Sequence, residues 1–288
     1  MRLTLLTPAA LLGAALFSAH AAAADLTATR TIDNSVPVGG ERGLVVIVDD
    51  VFGSIHVTAH DRDTVELKAV ETVRGKLQAD IDRAHAQVEL RTEHEPGRVA
   101  FRVRRVNGTD DGDCPCRGNR WDDDYFVSYQ IEVKVPRSAG VDLSTVNNGD
   151  IVVDGVQGDF TVRNVNGAVR LSGLRGSGEI STVNGPIDAA FDRAPAAATS
   201  FKTVNGKIDV TFPQSLAADI ALETLHGDML TDFDTQQVAR TVTNEPARNG
   251  GKKIYSSRGP SLVRVGAGGP TYSFKTVNGA IYIRKAAR

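Results

Sequence analysis

The segment KTVNGKIDV, Lys202 to Val210, recurs with small changes four more times: RNVNGAVRL from Arg163, STVNGPIDA from Ser181, ETLHGDMLT from Glu223 and KTVNGAIYI from Lys275. With an earlier copy marked by Gly149, the glycines stand at Gly149, Gly167, Gly185, Gly206, Gly227 and Gly279, at intervals of 18, 18, 21, 21 and 52 residues. A period near 20 residues marks a stacked repeat, in which no unit can bury its apolar face alone and each does so against its neighbours. Secondary turns, GVQG at Gly155–Gly158 and GLRG at Gly173–Gly176, divide each period into two or three short strands. No part of the repeat has a helical period.

Two architectures use such a period. In an antiparallel β-meander or sandwich each VNG is a hairpin turn, since Asn-Gly suits the positive φ values of tight turns. In a parallel β-solenoid each period of ~18–21 residues is one coil, and equivalent residues of successive copies lie about 4.8 Å apart. The matched columns favour the solenoid. Val165, Val183, Val204, Leu225 and Val277 form one apolar column before the glycine, and Val169, Ile187, Ile208, Met229 and Ile281 another after it, both read as core rungs. Asn166-Gly167, Asn184-Gly185, Asn205-Gly206 and Asn278-Gly279 then read as a structural turn ladder, with His226 in the place of an asparagine. The side-chain amides bond to the coils above and below, and glycine supplies a left-handed backbone. On the outward positions Arg170 is expected above Asp188, Lys202 above Glu223, and Asp188 beside Asp209. Stacked carboxylates such as Asp188 and Asp209 can hold a cation or act as a general acid/base pair, but are more often a solvated face.

The stretch before the repeats fits the same plan. Residues 1–24 have the positive start, apolar run and small-residue end of a secretory signal peptide, and no cysteine follows the cleavage region to carry a lipid. The expected protein is periplasmic or secreted, with residues 25–288 as one β-solenoid domain and no membrane span in the mature chain. VVIVDDVFGSIHV holds an early copy in which Phe52-Gly53-Ser54-Ile55 replaces VNGxI. Lys76 to Leu90 predicts a short helix with Leu77, Ile81 and Ala84 on its apolar side, suited to cap an end of the stack. Residues 107–124 form an acidic loop containing Cys114 and Cys116, read as a disulfide candidate, with calcium as a rival occupant. Residues 231–270 read as an insertion.

The catalytic inventory is thin. His56 and His60 share one face of a strand with no partner Asp or Cys placed with them, and there is no nucleophile elbow, zinc-protease motif or phosphate-binding loop. A formal charge of -2 gives no footprint for nucleic acid or anionic lipid. Only 6% of residues are aromatic, with a single Trp, which offers little for stacking sugars.

The phrase VPRSAGVDLSTVNNGDIVVDGVQG, from Val135 to Gly158, resembles a bacterial family of envelope β-strand repeat proteins labelled "putative adhesin", a domain of unknown function. FGSIHVTAHDRDTV and GGPTYSFKTVNGAIYI resemble the family's ends, and the doubled Asn147-Asn148 departs from its pattern. The resemblance implies a β-solenoid in the cell envelope and brings no catalytic residues. The expectation is a non-enzymatic, adhesin-like binding or scaffold module, linked to envelope stress, whose partner is an envelope protein or glycan and which needs no cofactor. A carbohydrate-active β-helix enzyme using Asp188 and Asp209, or the acidic loop with calcium, is the alternative.

Overall fold

The computed structural model describes residues 25–41, 43–106, 125–147, 149–238, 248–249, 252–253 and 261–287. The chain opens with β1 (Leu26–Pro37), then β2 (Val45–Asp49), β3 (Gly53–His60) and β4 (Thr64–Gly75). The one described helix, α1 (Gln78–Gln87), leads into β5 (Val88–Glu95), β6 (Arg98–Arg105) and β7 (Tyr125–Pro136). From there short strands alternate between two sheets: β8 (Gly140–Ser144), β9 (Ile151–Asp154), β10 (Phe160–Arg163), β11 (Val169–Leu174), β12 (Gly178–Ser181), β13 (Ile187–Phe191), β14 (Thr199–Lys202) and β15 (Ile208–Phe212). The last part comprises β16 (Ala218–His226), β17 (Met229–Thr231), β18 (Thr235–Gln237), the small pair β19 (Arg248–Asn249) and β20 (Lys252–Lys253), then β21 (Ser261–Val265), β22 (Thr271–Asn278) and β23 (Ile281–Lys285).

Each coil contributes two strands, one to each sheet, and the VNG corner joins them. The first sheet runs β1-β4-β7-β3-β9-β11-β13-β15-β23-β17, and the second β18-β21-β16-β22-β14-β12-β10-β8-β2-β6-β5. The central strands pair in parallel and in register, for example Ile187 with Val169 on one side and Ile208 on the other. This is a β-solenoid. Within the two sheets antiparallel pairing is confined to the ends, at β1-β4-β7, β5-β6 and β16-β21-β18; the separate β19-β20 pair is also antiparallel.

Coil order departs from chain order at both ends. β6 and β7 lie outside β2 and β3, and the final strands β22 and β23 slot between the β14/β15 coil and the β16/β17 coil. The 52-residue interval is therefore an excursion followed by a return, and Asn278 pairs with Asn205 on one side and His226 on the other. Lys202 consequently does not meet Glu223: Lys275 separates them and takes Glu223 at 3.0 Å, while Lys202 bonds Glu179 at 2.7 Å. Arg170 is in register with Asp188 but reaches back to Asp150 at 2.6 Å.

The core lies between the sheets. Val169, Ile187, Ile208 and Ile281 are fully buried, as expected, although Met229 on the outermost coil is 43% exposed. Like stacks on like: Phe201 on Phe274 with centroids 4.8 Å apart, and Phe191 on Phe212 on Tyr272 at 5.1 and 5.3 Å. The other expected rung column faces outward. Val183 and Val204 are each 38% exposed and Leu225 70%. The threonine just before each valine points inward instead, because alternation along a strand sends neighbours to opposite faces. In α1, Ile81 and Ala84 pack under Val73, but Leu77 is exposed at the N-cap position. The helix packs against β1, β4, β5 and β7 at the N-terminal end of the stack, where β1 remains the edge of its sheet.

The corners explain the glycines by distance rather than by φ. A Cβ on Gly185 would stand 2.0 Å from the carbonyl oxygen of Gly167, and one on Gly206 equally close to that of Gly185. Left-handed glycines do stand at the opposite corners, Gly155 (φ 75°) and Gly173 (φ 64°), and in the VNG column Gly53 (φ 154°) and Gly227 (φ 157°) also take a positive φ. Gly185→Ala should therefore cost ~3 kcal/mol or more in urea unfolding, as expected when backbone must move to relieve overlap. Thr203→Val, which removes only the hydroxyl bond to the Gly185 carbonyl (3.0 Å), should cost about 1 kcal/mol.

Candidate functional site

The corner has an outer and an inner lining. Outside, the asparagines form a continuous amide ladder: Asn166 Nδ2 donates to Asn147 Oδ1 at 2.7 Å, Asn184 to Asn166 at 2.8 Å, Asn205 to Asn184 at 2.8 Å and Asn278 to Asn205 at 2.7 Å. Asn147 holds the ladder position at its coil; its neighbour Asn148 lies outside the described residues. Inside, Thr145, Thr182, Thr203 and Thr276 are buried, and each donates its hydroxyl to the carbonyl of a glycine in the adjacent corner, at 3.0, 3.2, 3.0 and 3.1 Å. Asn164 does the same through its amide, reaching Gly149 O at 3.0 Å.

Asp50 stands three residues before Gly53, just as Asn164, Thr182, Thr203 and Thr276 stand three before their glycines. It is 2% exposed. Oδ1 accepts the Val51 amide at 2.7 Å, whereas Oδ2 has no hydrogen-bond partner among the described residues. A Cβ on Gly53 would meet both Tyr129 O and Asp50 Oδ2, as one on Gly167 would meet both Gly149 O and Asn164 Nδ2. The inward column thus presents a hydrogen-bond donor at every coil except this one, where only a protonated carboxyl could donate. Burial pushes the Asp50 carboxyl up to about 7, against the pull of the Val51 and Phe52 amides and with help from the Asp49 charge. Elsewhere Glu71, also buried, is held by Arg30 and the Tyr129 hydroxyl, with His85 Nδ1 at 3.0 Å.

Because the folded state favours neutral Asp50, its stabilising share is complete below about pH 4 and lost as pH rises through about 7. Asp50→Asn supplies a permanent donor. It should raise Tm at pH 8 by at least ~3 °C and flatten the fall in Tm between pH 5 and pH 8, measured by circular dichroism.

On the outward face of the first sheet, Asp188 and Asp209 are in register on adjacent coils. Cations of the chain occupy them: Lys207 Nζ is 2.8 Å from Asp188 and 3.5 Å from Asp209, and Arg284 binds Asp209 through Nε and Nη2 at 2.7 and 3.1 Å. Burial opposes ionisation of Asp209, but Arg284 and Lys207 prevail and hold its carboxyl below the usual range. A general acid needs the reverse shift. Nearby, His56 does have a carboxylate partner, supplied by another coil: Nε2 lies 3.0 Å from Asp154 Oδ2, and Asp154 also accepts the Ser172 hydroxyl. Burial raises the Asp154 carboxyl, yet the Ser172 and His56 bonds outweigh it and leave it below its usual range. The Ser172 hydroxyl bonds the aspartate, and the Thr58 hydroxyl stands 3.5 Å from the same His56 Nε2 that Asp154 takes, so neither hydroxyl lies across the ring from the aspartate as activation of a nucleophile requires.

The second sheet carries a hollow of about 600 Å³ over β5, β6, β2 and β8, reaching Arg163 on β10. Its walls include Arg91, Arg98, Arg102, Arg104 and Arg163 with Asp49, Glu93 and Asp142. The sequence reading missed it because these arginines come from three strands, β5, β6 and β10, and converge only when β6 packs outside β2. It also missed Asp50, although the alignment of VDDVFG with TVNG was available. Cys114, Cys116 and the rest of 107–124, like residues 1–24, lie outside the described residues. No helix among the described residues is long and apolar enough to cross a membrane.

These features define a two-sheet β-solenoid whose corners are a structural ladder and whose outward faces are arrays of paired charges. Residues 130–256 match the family model described as Toastrack DUF4097. The match starts within β7 and leaves β22 and β23 outside it, so it is narrower than the sequence phrases at the chain's ends suggested. No curated protein matches the chain. Similar solved structures include a "putative cell adhesion protein" from Clostridium sporogenes (9% identity, TM-score 0.42, 91% of this chain and 100% of that chain). Others are a "putative adhesin" from Bacteroides fragilis (12%, TM-score 0.32, 89% and 97%) and a "putative lipid binding protein" from Parabacteroides distasonis (9%, TM-score 0.25, 91% and 97%).

Proposed function

We propose that the chain is a non-enzymatic binding or scaffold module of the bacterial cell envelope, exported by residues 1–24 and acting in the periplasm or outside the cell, with a role in envelope stress. The observation that carries this reading is the pair of outward faces. On one, Arg163–Asp142, Lys202–Glu179 and Lys275–Glu223 tie successive coils; on the other, Arg170–Asp150, Lys207–Asp188 and Arg284–Asp209 do so. Each pair adds little stability, ~1 kcal/mol or less. Together they hold long side chains in fixed positions on a rigid frame, so a partner binding there meets an ordered surface and loses less entropy. Solenoids offer such extended faces to proteins and glycans.

The enzymatic alternative rests on Asp188 and Asp209, yet Lys207 and Arg284 occupy these carboxylates and hold that of Asp209 below its usual range. A photo-crosslinking residue at Lys202 or Arg170 should capture a discrete envelope partner in cells, and Asp188→Asn with Asp209→Asn should unfold within ~1 kcal/mol of wild type. Polysaccharide turnover by the wild type that this double variant abolishes would overturn the proposal.

A further inference from the structure

The geometry points to a ligand class for the arginine-lined hollow of the second sheet: a phosphate-bearing anion of the size of a sugar phosphate or a phospholipid headgroup. This rests on the binding-module reading and narrows it to one place. Five guanidinium groups line the hollow against three carboxylates, on a chain whose formal charge is -2. Glu89, outside the lining, also contacts Arg91. The concentration of cations is therefore local, and a cationic cleft focuses field on an approaching anion.

How the arginines are held matters more than their number. Some surface forks are closed on one carboxylate: Arg264 binds Asp219 through Nε and Nη2 at 2.7 and 2.9 Å, and Arg284 grips Asp209 in the same way, whereas Arg170 on the first sheet holds Asp150 through Nη1 alone. In the hollow, Arg104 reaches Asp49 through Nη2 alone at 2.7 Å, its Nη1 turning to Val103 O, and Arg163 reaches Asp142 through Nη1 alone at 3.0 Å. Arg102 likewise contacts Glu93 through Nη1. Each guanidinium has five N–H donors, so these single bonds leave most of the fork unused. Arg98 is exposed and makes no ion pair among the described residues. A phosphate, with three oxygens free, can accept from several forks at once, whereas one carboxylate fills only one.

The site is also built on a firm base. Ile47 of β2 is in its floor, and Ala100 of β6, pointing to the same outward face, is 1% exposed beneath the neighbouring long side chains. The walls stand on paired strands rather than on loops, which holds them to a defined geometry. A volume of about 600 Å³ suits a small ligand.

The test uses the purified chain with pyrophosphate in titration calorimetry and with phosphatidylcholine vesicles, with and without phosphatidylglycerol, in co-sedimentation. Binding to at least one probe at ~50 mM salt is expected, weakening as salt is raised. Pyrophosphate alone would identify a free phosphate compound, and phosphatidylglycerol vesicles alone a headgroup; either supports the proposal. Arg98→Glu should weaken binding at least ~10-fold, and Arg98→Gln serves if the first variant fails to fold. Lys134→Glu, on β7 of the first sheet and outside the lining of the hollow, should leave binding unchanged. No binding to either probe, or equal losses in the Arg98 and Lys134 variants, would overturn the assignment. Partner capture at Lys202 or Arg170 would still test the wider binding-module reading independently.

Discussion

The structure depends on one close approach. At each VNG corner the Cα of a glycine lies against the carbonyl of the glycine in the adjacent coil, nearer than any side chain permits. That contact fixes coil spacing, and the threonine hydroxyl inside and the asparagine amide outside satisfy the polar groups that the corner brings together. Three residues of the repeat thus do three jobs on one turn. The stack of glycine contacts also reveals the true coil order, since it runs Gly149, Gly167, Gly185, Gly206, Gly279 and then Gly227.

That order gives the molecule non-local closure. The last strand pair completes its stack only after β16 and β17 have been laid down beyond it, so contacts of β14 with β22 span some seventy residues of chain. The opposite end uses a related device, with β6 and β7 closing over β2 and β3. There the column of donors is broken by Asp50, a buried carboxyl whose neutral form alone completes the pattern. The same outward placement of β6 assembles the arginine hollow. Architecture and candidate chemistry at this end therefore share a cause.

Much of the fold was legible in the sequence because the repeat is written in side chains that stack on copies of themselves. The Asn166, Asn184, Asn205 and Asn278 column could be read directly, and so could the buried Val169, Ile187, Ile208 and Ile281 rungs. Other features were not. Val183 and Val204 look like core and are outward, because the polar threonine beside them has a partner inside that only the adjacent corner's backbone can provide. The insertion of β22 was hidden by chain order, which made Lys202 and Glu223 look adjacent. His56 gained Asp154, and Arg98 its neighbours, through pairings between distant strands. Such convergence leaves no local mark.

Hydrogen–deuterium exchange across the corners tests the central claim most directly. The amides of Asn205, Gly206, Asn278 and Gly279 donate in turn to Val183, Asn278, Val204 and His226 carbonyls, binding the final strand pair into the interior of the stack. If the account is right, residues 278–283 exchange as slowly as residues 205–210 and open with them as one cooperative unit. Exchange of 278–283 orders of magnitude faster than 205–210 would mean that the last strand pair is a peripheral addition, and would contradict the coil order on which this structure rests.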